Sequence, residues 1–538
     1  MAEDRIGRAS VFLASGTIVS RILGFVKSIV FASVVGVVGA GADAFAVANG
    51  LPNTVYVIVA GGVLSAVLVP QIVRASAHAD GGSAYINKLL TLALAVLTAA
   101  TVLATALAPL LTALYGALLP PETLALAISF AWWCLPQIFF YGLYTLLGEV
   151  LNARRSFGPF TWVPVLNNVV ALGGLIAFAL LFGADATGSR PADAWSPEMV
   201  AVLAGSATLG VAIQALTLFL FWRRIGLRYR PDFAWRGVGL GTAGRMAGWT
   251  FGMLLLTTGA GIVQTQVAST ASGSDPSVNA LDMAWLVFML PHSVITVSIA
   301  TAYFTRMSEH ASHSRIDEVR ADVSSAIRGV GLIIVLASAV LIVVAYPFAS
   351  VFAATFAQTV AVGNIIIAFC LGLVAFSTLF IVQRTFYALG DTRTPFFFTL
   401  FQTIVFVLGA LACLWLPAAW TAFGIALVTT IAGTAQLVLA LALLRGRLGS
   451  LDGRRVTIAF GRSLLALIIP VGVGVMLLLA LGGTVDGGFA VSGLIGAITS
   501  MAVIGAVMSA LYFAGLWLLR SPEFRGFAAP LLARLGRG

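Results

Sequence analysis

Runs of twenty or more predominantly apolar residues recur along this chain, with most charged residues in or near the short segments between them. About 20 apolar residues in a helix cross the hydrocarbon core of a bilayer, so each run is long enough to span. Punctuation by charge, Gly and Pro gives fourteen spans near 9–37, 42–75, 86–115, 123–151, 159–183, 197–222, 240–272, 278–305, 326–350, 357–387, 395–416, 420–444, 458–482 and 490–519. Composition agrees, because 60% of the 538 residues are hydrophobic and 9% charged, against about 25% charged in soluble domains. The chain reads as an all-α polytopic membrane protein of fourteen transmembrane helices. Its first ten residues resemble the basic head of a signal peptide. The apolar segment after them carries Arg21 and Lys27 and is too long for a signal-peptide core, so it reads as the first retained span.

The basic residues orient these spans. Of the 30 Lys and Arg, 27 fall at the N-terminus, in alternate loops and in the C-terminal tail; the opposite loops hold only Arg190, and Arg21 and Lys27 lie inside the first span. Positive residues collect on the cytoplasmic side, which puts both termini there. No loop is long enough to fold as a separate soluble domain, so any chemistry belongs to the membrane, and transport is favoured over catalysis. The three cysteines, Cys134, Cys370 and Cys413, sit in apolar runs and read as small core residues. The four histidines make no metal-ligand set, and no Gly-x-x-x-x-Gly-Lys phosphate loop occurs. No metal, cofactor or nucleic-acid partner is implied, and ATP is not the direct energy source. Sodium, protons and the membrane potential are all compatible as coupling forces.

Two features recur half a chain apart. Leu51-Pro52 is echoed by Leu290-Pro291, 239 residues on, and the segment 149–160 by 385–396, with Pro159 and Pro395 separated by 236. Both offsets move the pattern by six helices, an even number, so the halves share an orientation and relate by an axis along the membrane normal. This predicts a six-helix lobe over 1–230, a second over 231–447 and an appended helix pair with a cytoplasmic tail over 448–538. Such repeats bind substrate between them and rock about it.

A charge near the bilayer centre costs about 2.5–3.5 kcal/mol on insertion scales, which makes each one a functional candidate. Arg21 lies about 18 Å along the first helix, Lys27 about 9 Å further and roughly 120° around it. They can line one broad cavity, with Asp43 the nearest acid in sequence. The competing readings are a pair with a neighbouring helix for Arg21 and snorkelling for Lys27. Ser20, Gly24 and Ser28 repeat every four residues, the mark of a close-packed seam. In the second helix Asn49, Asn53 and Tyr56 form one polar stripe around Pro52, which suits either a cavity wall or interhelical hydrogen bonds. His292 follows Pro291 at similar depth and faces Gln264 and Gln266 only if the seventh and eighth helices adjoin; hydrogen bonding competes with proton carriage there. Asp282, Glu149 and Arg384 lie near helix ends and rank lower. A positively charged cavity without enzyme machinery should receive an anion.

Ser20-Arg-Ile-Leu-Gly-Phe-Val-Lys27, Ala42-Asp-Ala-Phe45, Leu51-Pro-Asn53, the Gly-x-x-Ser-x-x-x-x-Pro run ending at Pro70 and Phe386-Tyr-Ala-Leu-Gly-Asp-Thr-Arg-Thr-Pro395 together resemble the MurJ (MviN) lipid II flippases of the MOP exporter superfamily. The resemblance runs over nearly the whole chain. It implies two lobes that move an undecaprenyl-diphosphate-linked peptidoglycan precursor to the outer leaflet by alternating access. A cationic central cavity would hold diphosphate and sugar, and a groove toward the last two helices would hold the polyprenyl tail. On that resemblance Ser20, Arg21, Lys27, Asp43, Asn49, Asn53, Tyr56, Gln264 and His292 line the cavity, Lys27 standing where Arg is usual. The chain departs from the pattern at Tyr56 and Leu286, where the family carries arginines, and at Ser28, where Asp is common. His292 is near enough to Leu286 to substitute in part. With two of four cavity cations, the alternatives are another lipid-linked oligosaccharide, a drug exported within the same superfamily, or a non-transporting scaffold among cell-wall synthesis or division proteins.

Overall fold

The computed structural model describes residues 2–59, 83–154, 156–222, 229–234 and 244–526. Among these residues the chain is all helix and connecting turn, without a strand. Thirteen described helical segments are long and apolar enough to cross a membrane, and they match thirteen of the fourteen spans read from sequence. The other, expected at 42–75, is described as the helix Ala40–Val59, and its second half lies outside the described residues.

Among the described residues, three of these thirteen segments are broken helices. Pro136 separates Pro121–Cys134 from Gln137–Ala153, and after Pro291 a π-helical turn, His292–Thr296, joins Val278–Pro291 to Val297–Ser312. Proline removes a backbone donor and crowds the preceding turn, which accounts for both. The third break, between Phe356–Cys370 and Leu373–Ala388, has no proline. Its released carbonyls are taken up by hydroxyls: Ser338 Oγ donates to Cys370 O at 2.6 Å and Thr430 Oγ1 to Ala368 O at 2.7 Å. With no water available in lipid, such side chains make an interrupted helix tolerable.

The chain forms two compact units, Met1–Asn279 and Ala280–Gly538. The helix Gly244–Ser269 therefore belongs with the first unit, whereas the repeat in the sequence divides the chain at 230/231. Hydrogen bonds hold it there: Gln266 Nε2 donates to Leu114 O at 2.6 Å, and Ser272 Oγ, just past its end, donates to Asp43 Oδ2 at 2.7 Å.

In the first unit, Leu97, Leu147, Leu151 and Leu218 are buried where the helices Ser83–Ala106, Gln137–Ala153 and Pro197–Trp222 meet. In the second, the helices Ile316–Val343, Gly453–Ala480 and Leu494–Leu518 pack around Tyr512, whose hydroxyl donates to Leu332 O at 2.7 Å. The outward surface is apolar as well, with Leu180 81% and Ile495 80% exposed. Such side chains need a hydrocarbon solvent.

Candidate functional site

The first helix, Ala2–Val35, is seated against Phe157–Phe182. Gly16 faces Trp162 so closely that a Cβ there would lie 2.9 Å from the indole ring. One turn on, Asn168 Nδ2 reaches the Ser20 carbonyl at 3.0 Å and its hydroxyl at 3.4 Å, and Gly24 lies beside the same amide. Ser28 bonds back to Gly24 O at 3.2 Å. The four-residue repeat is thus a packing seam, and Ser20 serves it. Arg21, one residue along, points away and is exposed beside Ile18 and Ile22. Lys27 is half-buried, and no hydrogen bond or ion pair among the described residues reaches its ammonium group.

The polar stripe of the second helix is divided. Asn49 Oδ1 accepts from Gln137 Nε2 at 3.1 Å; that amide also donates to Thr208 Oγ1, whose hydroxyl donates to Trp133 O at 2.7 Å. The Tyr56 hydroxyl lies 2.6 Å from Thr145 Oγ1, with its ring 5.9 Å from that of Tyr141. Asn49 Oδ1 and the Tyr56 hydroxyl are therefore engaged by neighbouring helices, while Asn53 is exposed.

Asp43 lies inside the first unit, fully buried, rather than on an open wall. Its carboxylate accepts from Ser272 Oγ at 2.7 Å and from the Asn279 N–H at 3.1 Å. Asn279 in turn donates its side-chain amide to the carbonyls of Gly36 and Val37 at 3.4 and 3.0 Å. These residues tie the end of the first helix and the start of the second to the 270–279 turn.

In the second unit, His292 is buried in the π-helical turn, its Nδ1 3.1 Å from Ser377 Oγ and its ring edge-on to Phe376 and Phe380. It is hydrogen-bonded to Ser377, while Gln266 spends its amide on Leu114 O within the first unit; Gln264 is half-buried. Asn168, Gln137, Ser272 and Asn279 escaped the sequence reading, although Asn168 and Gln137 carry the signal it used elsewhere, a polar side chain in mid-span.

The exceptional Arg190 has a structural explanation. Its guanidinium lies over the Phe178 and Trp195 rings and donates to the carbonyls of Phe182 and Gly183 at 3.1 and 3.3 Å. In the same loop, partial burial opposes ionisation of Asp185. The Arg190 N–H, Thr187 and Ser189 outweigh it and hold the carboxyl below its ordinary range. The loop also packs tightly: a Cβ on Gly188, which has φ +69°, would run into Val38 O.

The model of the family described as lipid II flippase MurJ matches residues 31–495. A "Probable lipid II flippase MurJ" of Rickettsia prowazekii is 27% identical over 417 residues, covering 74% of this chain and 76% of that protein. Its namesake in Rhizobium meliloti is 26% identical over 451 residues, covering 81% and 80%. Among solved structures, the inward closed conformation of a lipid II flippase MurJ superposes with TM-score 0.72 at 18% identity, covering 94% of this chain and 99% of that one. An inward-facing multidrug resistance MATE family transporter of the MOP superfamily gives TM-score 0.64 at 17% identity, covering 82% and 99%. The solved structures share the fold.

Proposed function

The chain belongs to the lipid II flippase MurJ family, and on that premise we propose that Arg21, assisted by Lys27, grips the diphosphate of lipid II as it passes from the inner to the outer leaflet of the bacterial cytoplasmic membrane by alternating access. The observation that carries this reading is the placement of Arg21, exposed at membrane depth on a helix whose adjacent face is locked to Asn168. A charge so placed is a functional candidate, and a diphosphate is an anion of the kind a guanidinium binds. Guanidinium forks onto phosphate oxygens in two parallel hydrogen bonds, whereas the Lys27 ammonium acts as a point charge. Both termini lie in the cytoplasm on this reading, and the membrane potential or a sodium or proton gradient drives the cycle.

The test is expression in bacteria depleted of their own lipid II flippase, scoring lipid II that a probe can reach outside the cytoplasmic membrane. The chain restores accessibility, and Arg21→Ala abolishes it while leaving the protein inserted. A fully active Arg21→Ala variant overturns the role of Arg21, and a well-inserted but inactive chain overturns lipid II as cargo. One observation favours a second cargo: Tyr56 stands where the resembling family carries arginine, and its hydroxyl is occupied by Thr145. Another polyprenyl-diphosphate-linked glycan, needing fewer cations, is then the substrate to assay.

A further inference from the structure

In the second unit the π-helical turn His292–Thr296 divides one span, and the half beyond it, Val297–Ser312, ends against the start of Ile316–Val343. There the imidazole of His310 lies between two carboxylates, with Nε2 3.0 Å from Glu318 Oε2 and Nδ1 2.9 Å from Asp322 Oδ2. Asp322 is buried, and among the described residues no other polar atom bonds to His310 Nδ1 or Asp322 Oδ2. A neutral imidazole has one N–H and one lone pair, so it turns a lone pair toward one of these carboxylates; the imidazolium offers each a donor. The surrounding charges call for the same cation. Arg306 lies 2.7 Å from Asp322, and Arg315 lies 3.0 Å from Glu318 and 4.0 Å from Glu309, so two guanidiniums meet three carboxylates. Asp317 is paired with Arg320 at 2.9 Å, and His313 bonds to the Glu309 carbonyl. The packed helix Leu373–Ala388 brings Arg384, which lies over the Phe304 and Phe380 rings, and the π-helical turn brings His292, bonded to Ser377.

We propose that His310 is a proton-operated clasp: protonated, it pins the half-helix Val297–Ser312 to Ile316–Val343, and on losing its proton it frees that half to move about the π-helical turn. Histidine changes charge between about pH 5 and 8, so the clasp is closed in acid and opens as pH rises through that range. What then remains on Asp322 is Arg306, whose side chain is 61% exposed and screened by salt. On its other side the half-helix rests on Leu373–Ala388 through Met307 beside Thr385 and Phe304 under Arg384, contacts that do not titrate in this range. A π-bulge is a natural place for a helix to bend. On the proposed topology this end faces the cytoplasm, and the clasp rests on that reading only for which compartment's pH it senses.

The test is hydrogen exchange of the purified full-length protein in detergent at about pH 5.5 and 8, on either side of the histidine range, read by mass spectrometry and corrected for the intrinsic rate at each pH. Amides of Val297–Ser312 should lose about tenfold in protection at the higher pH, the scale of one hydrogen bond to a charged group. In H310Q they should show the lower protection at both values, and in D322N likewise, while H313Q should keep the wild-type difference. Equal protection of the wild type at the two values overturns the proposal without any variant. A wild-type difference that persists in H310Q, or vanishes in H313Q, assigns the titration to another group and also overturns it. A change spread equally over Val278–Pro291, ahead of the turn, removes the hinge. Because exchange is read without transport, a chain that opens with pH but flips nothing counts against the proposed function alone.

Discussion

The buried carboxylate of Asp43 accepts the backbone N–H of Asn279 at 3.1 Å, across 236 residues of chain. With Ser272 on its other oxygen, it closes one end of the first unit. Asp43→Ala strands a buried N–H and a hydroxyl and should cost about 2–4 kcal/mol, since each orphaned donor costs about 1–3. Asp43→Asn retains an acceptor for Asn279 and can place its amide on Ser272, so it should cost about 1 kcal/mol. Thermal melting in detergent ranks the three proteins, and an Asp43→Ala variant that melts with wild type removes the clamp.

Tyr56 occupies a position where the family resemblance leads one to look for a substrate-gripping cation, yet its hydroxyl is 2.6 Å from Thr145 Oγ1. Tyr56→Phe keeps the ring against Tyr141 and deletes only that bond. Stability should fall by about 1 kcal/mol with lipid II accessibility unchanged. Lost transport at unchanged melting temperature would place the hydroxyl on substrate instead.

What could be read in advance divides along physical lines. Spans were legible because the length of an apolar run and the distribution of Lys and Arg are properties of sequence alone, and Arg190 stood out as the exception before its carbonyl and aromatic partners were known. The seam through Ser20 and Gly24 was legible from spacing. What could not be read was which partner each polar atom takes. Asn49 and Asn53 lie on one stripe, but Gln137 reaches only Asn49, and that depends on how two helices adjoin. Asp43 resembled a cavity acid because its closest partners, Ser272 and Asn279, are more than two hundred residues away.

The seam offers a packing test with its own control. Trp162 leaves no room for a methyl at Gly16, and overpacking a tight contact costs about 1–3 kcal/mol. Gly16→Ala should therefore lower the melting temperature measurably. Ile22→Ala, on the same helix at a side chain 57% exposed, should stay within about 0.5 kcal/mol of wild type. Equal effects would mean that the first helix is not seated on Phe157–Phe182 through Gly16.

The turn at Asp391 makes a prediction about pH. Partial burial opposes ionisation of this carboxyl, but the Thr394 hydroxyl at 2.6 Å, the Thr394 N–H at 2.9 Å and Arg447 at 3.0 Å outweigh it and hold its pKa below the ordinary value. A depressed folded-state pKa contributes stability that is present above the unfolded value, about 4, and is lost as pH falls through the folded value. Wild type should therefore melt above Asp391→Ala at neutral pH, and the gap should narrow below about pH 4. Arg447 is 64% exposed, so salt screens its share, whereas the two Thr394 hydrogen bonds persist. In about 1 M salt, where the Debye length is near 3 Å, most of the gap should survive at neutral pH. A gap that vanishes with salt would assign the stabilisation to Arg447 rather than to Thr394.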